Sequence, residues 1–321
     1  MIERHILPRH IAPPGWLSEI RRGGHREVPL FRTSFTSVFR PELFRSQNIL
    51  VTGGGTGIGR CIAHELASLG AHVVIAGRRT EPLDQVVAEI REAGGDAEAV
   101  LLNIRDEEQV DGVMGGLFQR LGHLHGVVNN AGGQFASPAA VIKPKGWRAV
   151  VDTNLNGTWF VSQAAFRHGM GEKGGAIVNI VADMWNGFPG MAHTGAARAG
   201  VVNLTQTLAV EWGPSGVRVN AVAPGFILSS GMKNYPEPVL ALAKETIPIN
   251  PSGRGGTESE VSAAVAFLLC PAAAYISGAT LRVDGGASLF KMSMLPLSAH
   301  DQIAPWNGFH LPPDLPDAMK E

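Results

Sequence analysis

The sequence predicts an α/β fold, a doubly wound parallel sheet of seven strands with helices on both faces. Three observations carry that expectation. A glycine cluster separates an apolar run from a helix-spaced run at 48–70. Short apolar runs and helix-spaced runs then alternate as far as residue 283. Several of the short runs, AIVNIV at 176–181 among them, are apolar at nearly every position, as strands buried on both faces are.

The first unit sets the frame. Ile49, Leu50 and Val51 form an apolar run ending at Thr52, and Gly53, Gly54, Gly55, Gly57 and Gly59 follow. Ile58, Ile62, Leu66 and Leu69 recur at helical spacing, with Ala63 and Ala67 between them. Strand, glycine turn and helix in that order suit a dinucleotide pyrophosphate. Residues without side chains let the backbone approach, and the free N–H groups of the helix start face the anion. Gly53, Thr56, Gly57, Ile58 and Gly59 are the expected cradle.

The remaining elements follow in turn. Residues 72–77 read as the second strand, and Thr80, with Pro82 close behind, as the cap of the next helix. Residues 97–102 give the third strand, Asp106 with Gln109 a capping box, and 126–129 the fourth strand. A long helix is expected over 146–168, a fifth strand over 176–181, a helix over 193–212 and a sixth strand over 217–222. Thr257 with Glu260 caps a helix running through Leu269, and 280–283 closes the sheet with right-handed crossovers throughout.

Composition narrows the function. With 45% hydrophobic and 17% charged residues the chain has material for a large core. A net charge of −1 offers no electrostatic footprint for nucleic acid or membrane, and no apolar run reaches transmembrane length. Cys61 and Cys270, each inside an expected helix, read as buried small hydrophobes in a reducing compartment rather than a disulfide or a metal site. Residues 1–45 stand apart, with eight arginines and no sustained periodicity, and read as a surface arm on the domain or on a neighbouring subunit. The domain proper is expected over 46–290, with a C-terminal extension over 291–321.

The end of the second strand bears on the choice of cofactor. A carboxylate there would accept hydrogen bonds from a ribose 2′-hydroxyl and repel a 2′-phosphate. The sequence has Ala76-Gly77-Arg78-Arg79 and no acid. Arg78 suits a bidentate pair with a phosphate, so NADP(H) is expected.

Thr52-Gly53-x-x-x-Gly57-x-Gly59, Asn129-Asn130-Ala131-Gly132, Asn154 in DTNLNGT, Arg218 to Gly225 (RVNAVAPG) and Asp284-Gly285-Gly286 together resemble the short-chain dehydrogenase/reductase family. The resemblance spans roughly residues 45 to 290 and implies a Rossmann-type domain assembling as a homotetramer or homodimer. It further implies that Asn130, Ala131 and Gly132 line the cofactor's ribose side, and that Asn103 and Ile104 flank the adenine. Pro224, Gly225 and Ile227 would sit near the nicotinamide, and 226–250 would form the loop covering the substrate.

The departures from that pattern say more. Ketone and alcohol reductases of the family carry a catalytic Asn, Ser, Tyr and Lys. Asn154 matches the first, but Ala182 stands for Ser, Thr194 for Tyr and Arg198 for Lys. Carbonyl reduction needs an acid for a strongly basic alkoxide, which a phenol beside an ammonium provides. Thr194 and Arg198 do not replace it.

Reduction of a C=C bond conjugated to a thioester makes a lesser demand, a hydrogen-bond donor for an enolate oxygen and a modest acid for Cα. The segments His193 to Val201 (HTGAARAGV), Gly132-Gly133-Gln134-Phe135 and Lys145-Gly146-Trp147 resemble peroxisomal trans-2-enoyl-CoA reductases, relatives of the 2,4-dienoyl-CoA reductases. Thr194 is then the expected enolate donor, Arg198 the holder of the nicotinamide ribose and Tyr235, in the covering loop, the foremost candidate for the Cα proton. Asp183 and His193 border the site, Lys143, Lys145, Arg148 and Lys233 are candidates for CoA phosphates, and Tyr275 reads as structural. The C-terminal Met319-Lys320-Glu321 is no peroxisomal address, so a cytoplasmic setting is expected. Two alternatives remain open: another small-molecule reductase of the family, on a dienoyl or quinone-like substrate, and an NADP-binding protein without catalysis.

Overall fold

The structure, a computed structural model, describes residues 34–290 and 299–320. Nine strands occur among them. They are β1 (Asn48–Thr52), β2 (His72–Gly77), β3 (Asp96–Leu101), β4 (Gly126–Asn129), β5 (Gly175–Ile180), β6 (Val217–Pro224), β7 (Ile227–Leu228), β8 (Gly256–Thr257) and β9 (Thr280–Val283). Seven make one parallel sheet, as the sequence predicts, and their order is β3-β2-β1-β4-β5-β6-β9. β7 and β8 pair apart from it, a contact no sequence pattern announces. The order reverses between β1 and β4, which opens a crevice at the carboxyl ends of those strands.

The helices between them are α1 (Gly57–Ser68), α2 (Thr80–Glu92), α3 (Glu107–Leu121), α4 (Pro144–Val151), α5 (Gly157–Ala165), α6 (Gly171–Lys173), α7 (Ala192–Trp212), α8 (Glu237–Thr246) and α9 (Glu258–Leu269). Alternation along each strand decides which layer a side chain joins. Ile49 and Val51 of β1, with Val73 and Ile75 of β2, pack beside α1, α2 and α9. Leu50, Val74 and Ala76 pack beside α3, α5 and α7. Both faces are covered, which is why the strands read as continuous apolar runs.

Local chemistry departs from expectation at several points. Thr80 is the first helical residue of α2, and the cap falls on Arg79 without a side-chain bond. Asp106 caps α3 by accepting from Gln109 N, but the Gln109 side chain accepts from Asn103 N instead of closing a capping box. Thr257 and Glu260 do close one. The helix expected over 146–168 is broken by π-turns at Asp152–Asn156 and Phe166–Met170. Each π-turn adds a residue to the turn and rotates the side chains around it.

Of the arm expected over 1–45, residues 1–33 lie outside the described residues. Phe44 is fully buried in the core beside α1, and Phe35 packs against Phe309 of the C-terminal segment and Cys61. The packed domain therefore begins before residue 46. Cys61 and Cys270 are free and buried, although Cys270 lies just past the last residue of α9 rather than inside it. Tyr275, expected to be structural, is wholly exposed at 104%. Among the described residues no helix is long and apolar enough to cross a membrane.

Candidate active site

The turn after β1 is built for close approach. A Cβ on Gly59 would stand 2.3 Å from the Gly53 carbonyl oxygen and 2.4 Å from Asn130 Nδ2, and Gly53 itself has φ +67°. Asn130 Nδ2 donates to Thr52 O and Gly53 O at 3.0 and 3.2 Å, tying the end of β4 to the turn. Thr56 is the N-cap of α1 but makes no side-chain cap, and no acid occupies the first turn. The first N–H groups of α1 are left for an anion, and a dinucleotide diphosphate fits them.

The turn opens onto a cavity of about 690 Å³ at the switch point, within the size range of small-molecule sites. Every residue expected on the cofactor side, from Gly53 to Ile227, lines it. Arg78, Arg79 and Arg105 are among its lining residues. Phe188, Met191, Phe226, Met232 and Val239 add apolar lining.

Four groups expected to be catalytic have different fates. Arg198, on α7, is 7% exposed and lines the cavity. Its Nη1 donates to Ile180 O at 2.6 Å, its Nε has no partner, and among the described residues no carboxylate pairs with it. Burial lowers its pKa to about 10, so it remains a cation at neutral pH. Tyr235 also lines the cavity, and its phenol oxygen accepts a hydrogen bond from Gln134 Nε2.

Asn154 and Thr194 do not reach the cavity; both are fully buried. Asn154 lies in the first π-turn and grips the Gly133 backbone, donating to its carbonyl at 2.6 Å and accepting from its N–H at 3.2 Å. Thr194 N lies 2.8 Å from His193 Nδ1 and 2.9 Å from Met191 O. The Thr194 hydroxyl lies 3.2 Å from the same Nδ1. Thr194, expected as the enolate donor, is therefore placed with its hydroxyl inside the protein against His193 and not on the cavity wall.

A family model described as Enoyl-(Acyl carrier protein) reductase matches residues 53–288. The chain belongs to the short-chain dehydrogenase/reductase family. Within that family it is 40% identical over 242 residues to the "Probable 2,4-dienoyl-CoA reductase [(2E)-enoyl-CoA-producing]" of Bacillus subtilis (strain 168), covering 74% of this chain and 95% of that one. It is 39% identical to the 3-oxoacyl-[acyl-carrier-protein] reductase of Synechocystis sp., covering 76% and 98%. Among solved structures it resembles the citronellol catabolism dehydrogenase (AtuB) of Pseudomonas aeruginosa PAO1, at 50% identity and a TM-score of 0.71 over 78% of this chain and 99% of that one.

This short-chain dehydrogenase/reductase has site residues that the sequence reading missed. Gln134 is one, quoted there only for its resemblance, because a polar loop residue carries no periodicity. Asp183 lines the cavity as foreseen, and burial, then the neighbouring Asp284, push its carboxyl up. Lys143, Lys145 and Arg148 do not line the cavity, and Lys233 pairs with Asp314 of the C-terminal segment. His193 is buried against the Phe135 ring, their centroids 4.4 Å apart.

Glu258, at the start of α9, was also unforeseen. It is 7% exposed, accepts from the Ser230 backbone, and would lie 3.7 Å from a Cβ on Gly57. Burial raises its pKa from 4.5 to about 7, against the lowering effect of Arg60. Between those values the folded protein holds a proton that the unfolded chain has released, so stability falls as pH rises through that window. Glu258→Gln is expected to leave stability near pH 5 unchanged and to raise it near pH 8 by about 2 kcal/mol. Thermal melts at the two pH values check this; an equal change at both refutes it.

Proposed function

We propose that this chain reduces the C=C bond of a 2-enoyl thioester with NADPH, trans-2-enoyl-CoA being the expected substrate. The observation that carries the reading is Arg198, a buried cation on the cavity wall without a counter-charge among the described residues, in a site where no phenol–ammonium pair stands at 194 and 198. A bound NADPH supplies the hydride. The remaining chemistry belongs to the chain: Arg198 stabilises the negative charge that collects on the thioester oxygen, and Tyr235 closes over the substrate. The apolar lining of the cavity, from Phe188, Met191, Phe226, Met232 and Val239, suits an acyl chain. Acyl-thioester reductases among the relatives support the substrate class. Against ketone reduction stand Ala182 and the inward-turned Thr194.

A 2,4-dienoyl-CoA is the second reading, favoured by the Bacillus relative, and it makes the same demand on Arg198. Spectrophotometric NADPH oxidation on enoyl-CoA, dienoyl-CoA and 3-oxoacyl substrates tests both. Turnover of the 3-oxoacyl compounds alone overturns them, and turnover of none favours an NADP-binding protein without catalysis. Assembly as a homotetramer or homodimer in the cytoplasm belongs to the same proposal.

The cofactor preference is tested separately. Arg78→Ala is expected to weaken NADPH binding 10- to 100-fold, about 1.4–3 kcal/mol, and to leave NADH nearly unchanged, because only NADPH offers a 2′-phosphate to the guanidinium. Equal losses in fluorescence titrations with the two cofactors refute the assignment.

A further inference from the structure

Among the described residues lining the cavity, only Asp183 and Tyr235 carry a titratable proton apart from the guanidinium groups. Asp183 accepts from the Trp185 backbone and lies near Arg282 as well as Asp284. Tyr235 has a different setting. It follows the 3-10 turn Ser230–Asn234 of the covering segment and meets Gln134, which comes from the loop after β4. Gln134 Nε2 donates to the phenol oxygen. An oxygen that accepts in this way leaves its own hydrogen to point elsewhere.

Gln134 is held from both sides. Asn154 clamps the preceding Gly133 with the two hydrogen bonds already described, and Asn154 Nδ2 also donates to Val150 O at 2.8 Å. The following Phe135 leans on His193, and its ring would stand 2.8 Å from a Cβ on Gly146. The π-turn thus fixes Asn154, Asn154 fixes the loop, and the loop presents the Gln134 amide to the covering segment.

We propose that Gln134 is a positioning residue that makes Tyr235 the donor of the Cα proton. Seating of the phenol on the Gln134 amide turns its hydrogen toward the substrate. The proposal rests on the reduction of an enoyl thioester proposed above. In the step, the Tyr235 O–H bond breaks and a C–H bond forms at Cα from the enolate electron pair. The thioester carbonyl is restored, and water reprotonates the phenolate. Burial pushes the phenol above its ordinary value and the Gln134 bond pulls it back. It therefore keeps its proton at neutral pH, as an acid must.

The test uses the fact that the chain has two tyrosines, of which Tyr275 is wholly exposed. On a Tyr275→Phe background, phenolate absorbance follows Tyr235 alone. Gln134→Leu is expected to lower its acid dissociation constant about tenfold, because the donor that stabilises the phenolate is gone. In turnover of an enoyl-CoA, Gln134→Leu should lower kcat about 10-fold and Tyr235→Phe about 30-fold, with KM nearly unchanged and the double variant no slower than Tyr235→Phe. Gln134→Glu keeps the shape and accepts the phenol hydrogen instead, so it should be at least as slow as Gln134→Leu. An unshifted titration together with full turnover by Gln134→Glu overturns the role of Gln134. Full turnover by Tyr235→Phe overturns Tyr235 as donor. If the unaltered protein reduces no enoyl-CoA, the functional reading fails and the proton-donor role with it, while the titration still reports whether the two side chains meet.

Discussion

Gly59→Ala is expected to abolish dinucleotide binding, weakening NADPH by well over 100-fold, more than 3 kcal/mol. The added methyl has nowhere to go. Its two nearest neighbours, at 2.3 and 2.4 Å, are the Gly53 carbonyl oxygen and Asn130 Nδ2, and Asn130 is itself bonded to the backbone of Thr52 and Gly53. Relief requires α1 to move away from β1, which displaces the uncapped N–H groups from the anion. The same shift opens the packing of Ile62 and Leu66 on the sheet, so the melting temperature should fall too. NADPH affinity within a few-fold of the unaltered protein, measured by fluorescence titration, would show that the glycine turn is not the cradle.

The second large effect has opposite signs for activity and stability. Arg198→Met removes the cation proposed above to stabilise the enolate, and kcat on an enoyl-CoA at saturating NADPH should then fall about 10³-fold, the scale of one lost oxyanion partner in a dry site. The same substitution relieves a buried charge that, among the described residues, has no carboxylate beside it and no partner for its Nε. Replacing such a charge by an apolar side chain of similar length is often neutral or stabilising. Melting temperature is therefore expected to hold or rise while turnover collapses. A variant that melts lower and still turns over would mean that Arg198 supports the fold and leaves the reaction alone.

These expectations separate what the sequence makes legible from what it hides. The glycine spacing and the two-sided apolar runs place β1 and α1 because backbone sterics and burial leave few alternatives, and the residues that the family resemblance assigns to the cofactor line one cavity. Tyr235 is placed in the covering segment by the family resemblance alone, which puts the substrate loop at 226–250. The side chains of Asn154 and Thr194 are another matter. Asn154 sits in a π-turn, and nothing in DTNLNGT distinguishes the extra residue from an ordinary helix. Thr194 occupies the family's tyrosine position, but a hydroxyl is too short to cross from α7 to the cavity and finds His193 first. Gln134 acquires meaning only when Tyr235 arrives beside it from a distant part of the chain.

The place of β9 in the sheet also bears on how the chain is made. β9 pairs with β6 along Ala221–Pro224, yet the whole covering segment and α9 lie between them in sequence. On the ribosome, β6 is synthesised with one edge open, and a strand of Val219, Ala221, Val222 and Ala223 is a ready template for another nascent chain. Closing a parallel pair over so long a loop is slow, because the entropy of the loop is lost before any contact forms. Folding yield should therefore depend on how soon residues 280–283 leave the exit tunnel, and slow synthesis just before them prolongs the period in which chains can aggregate.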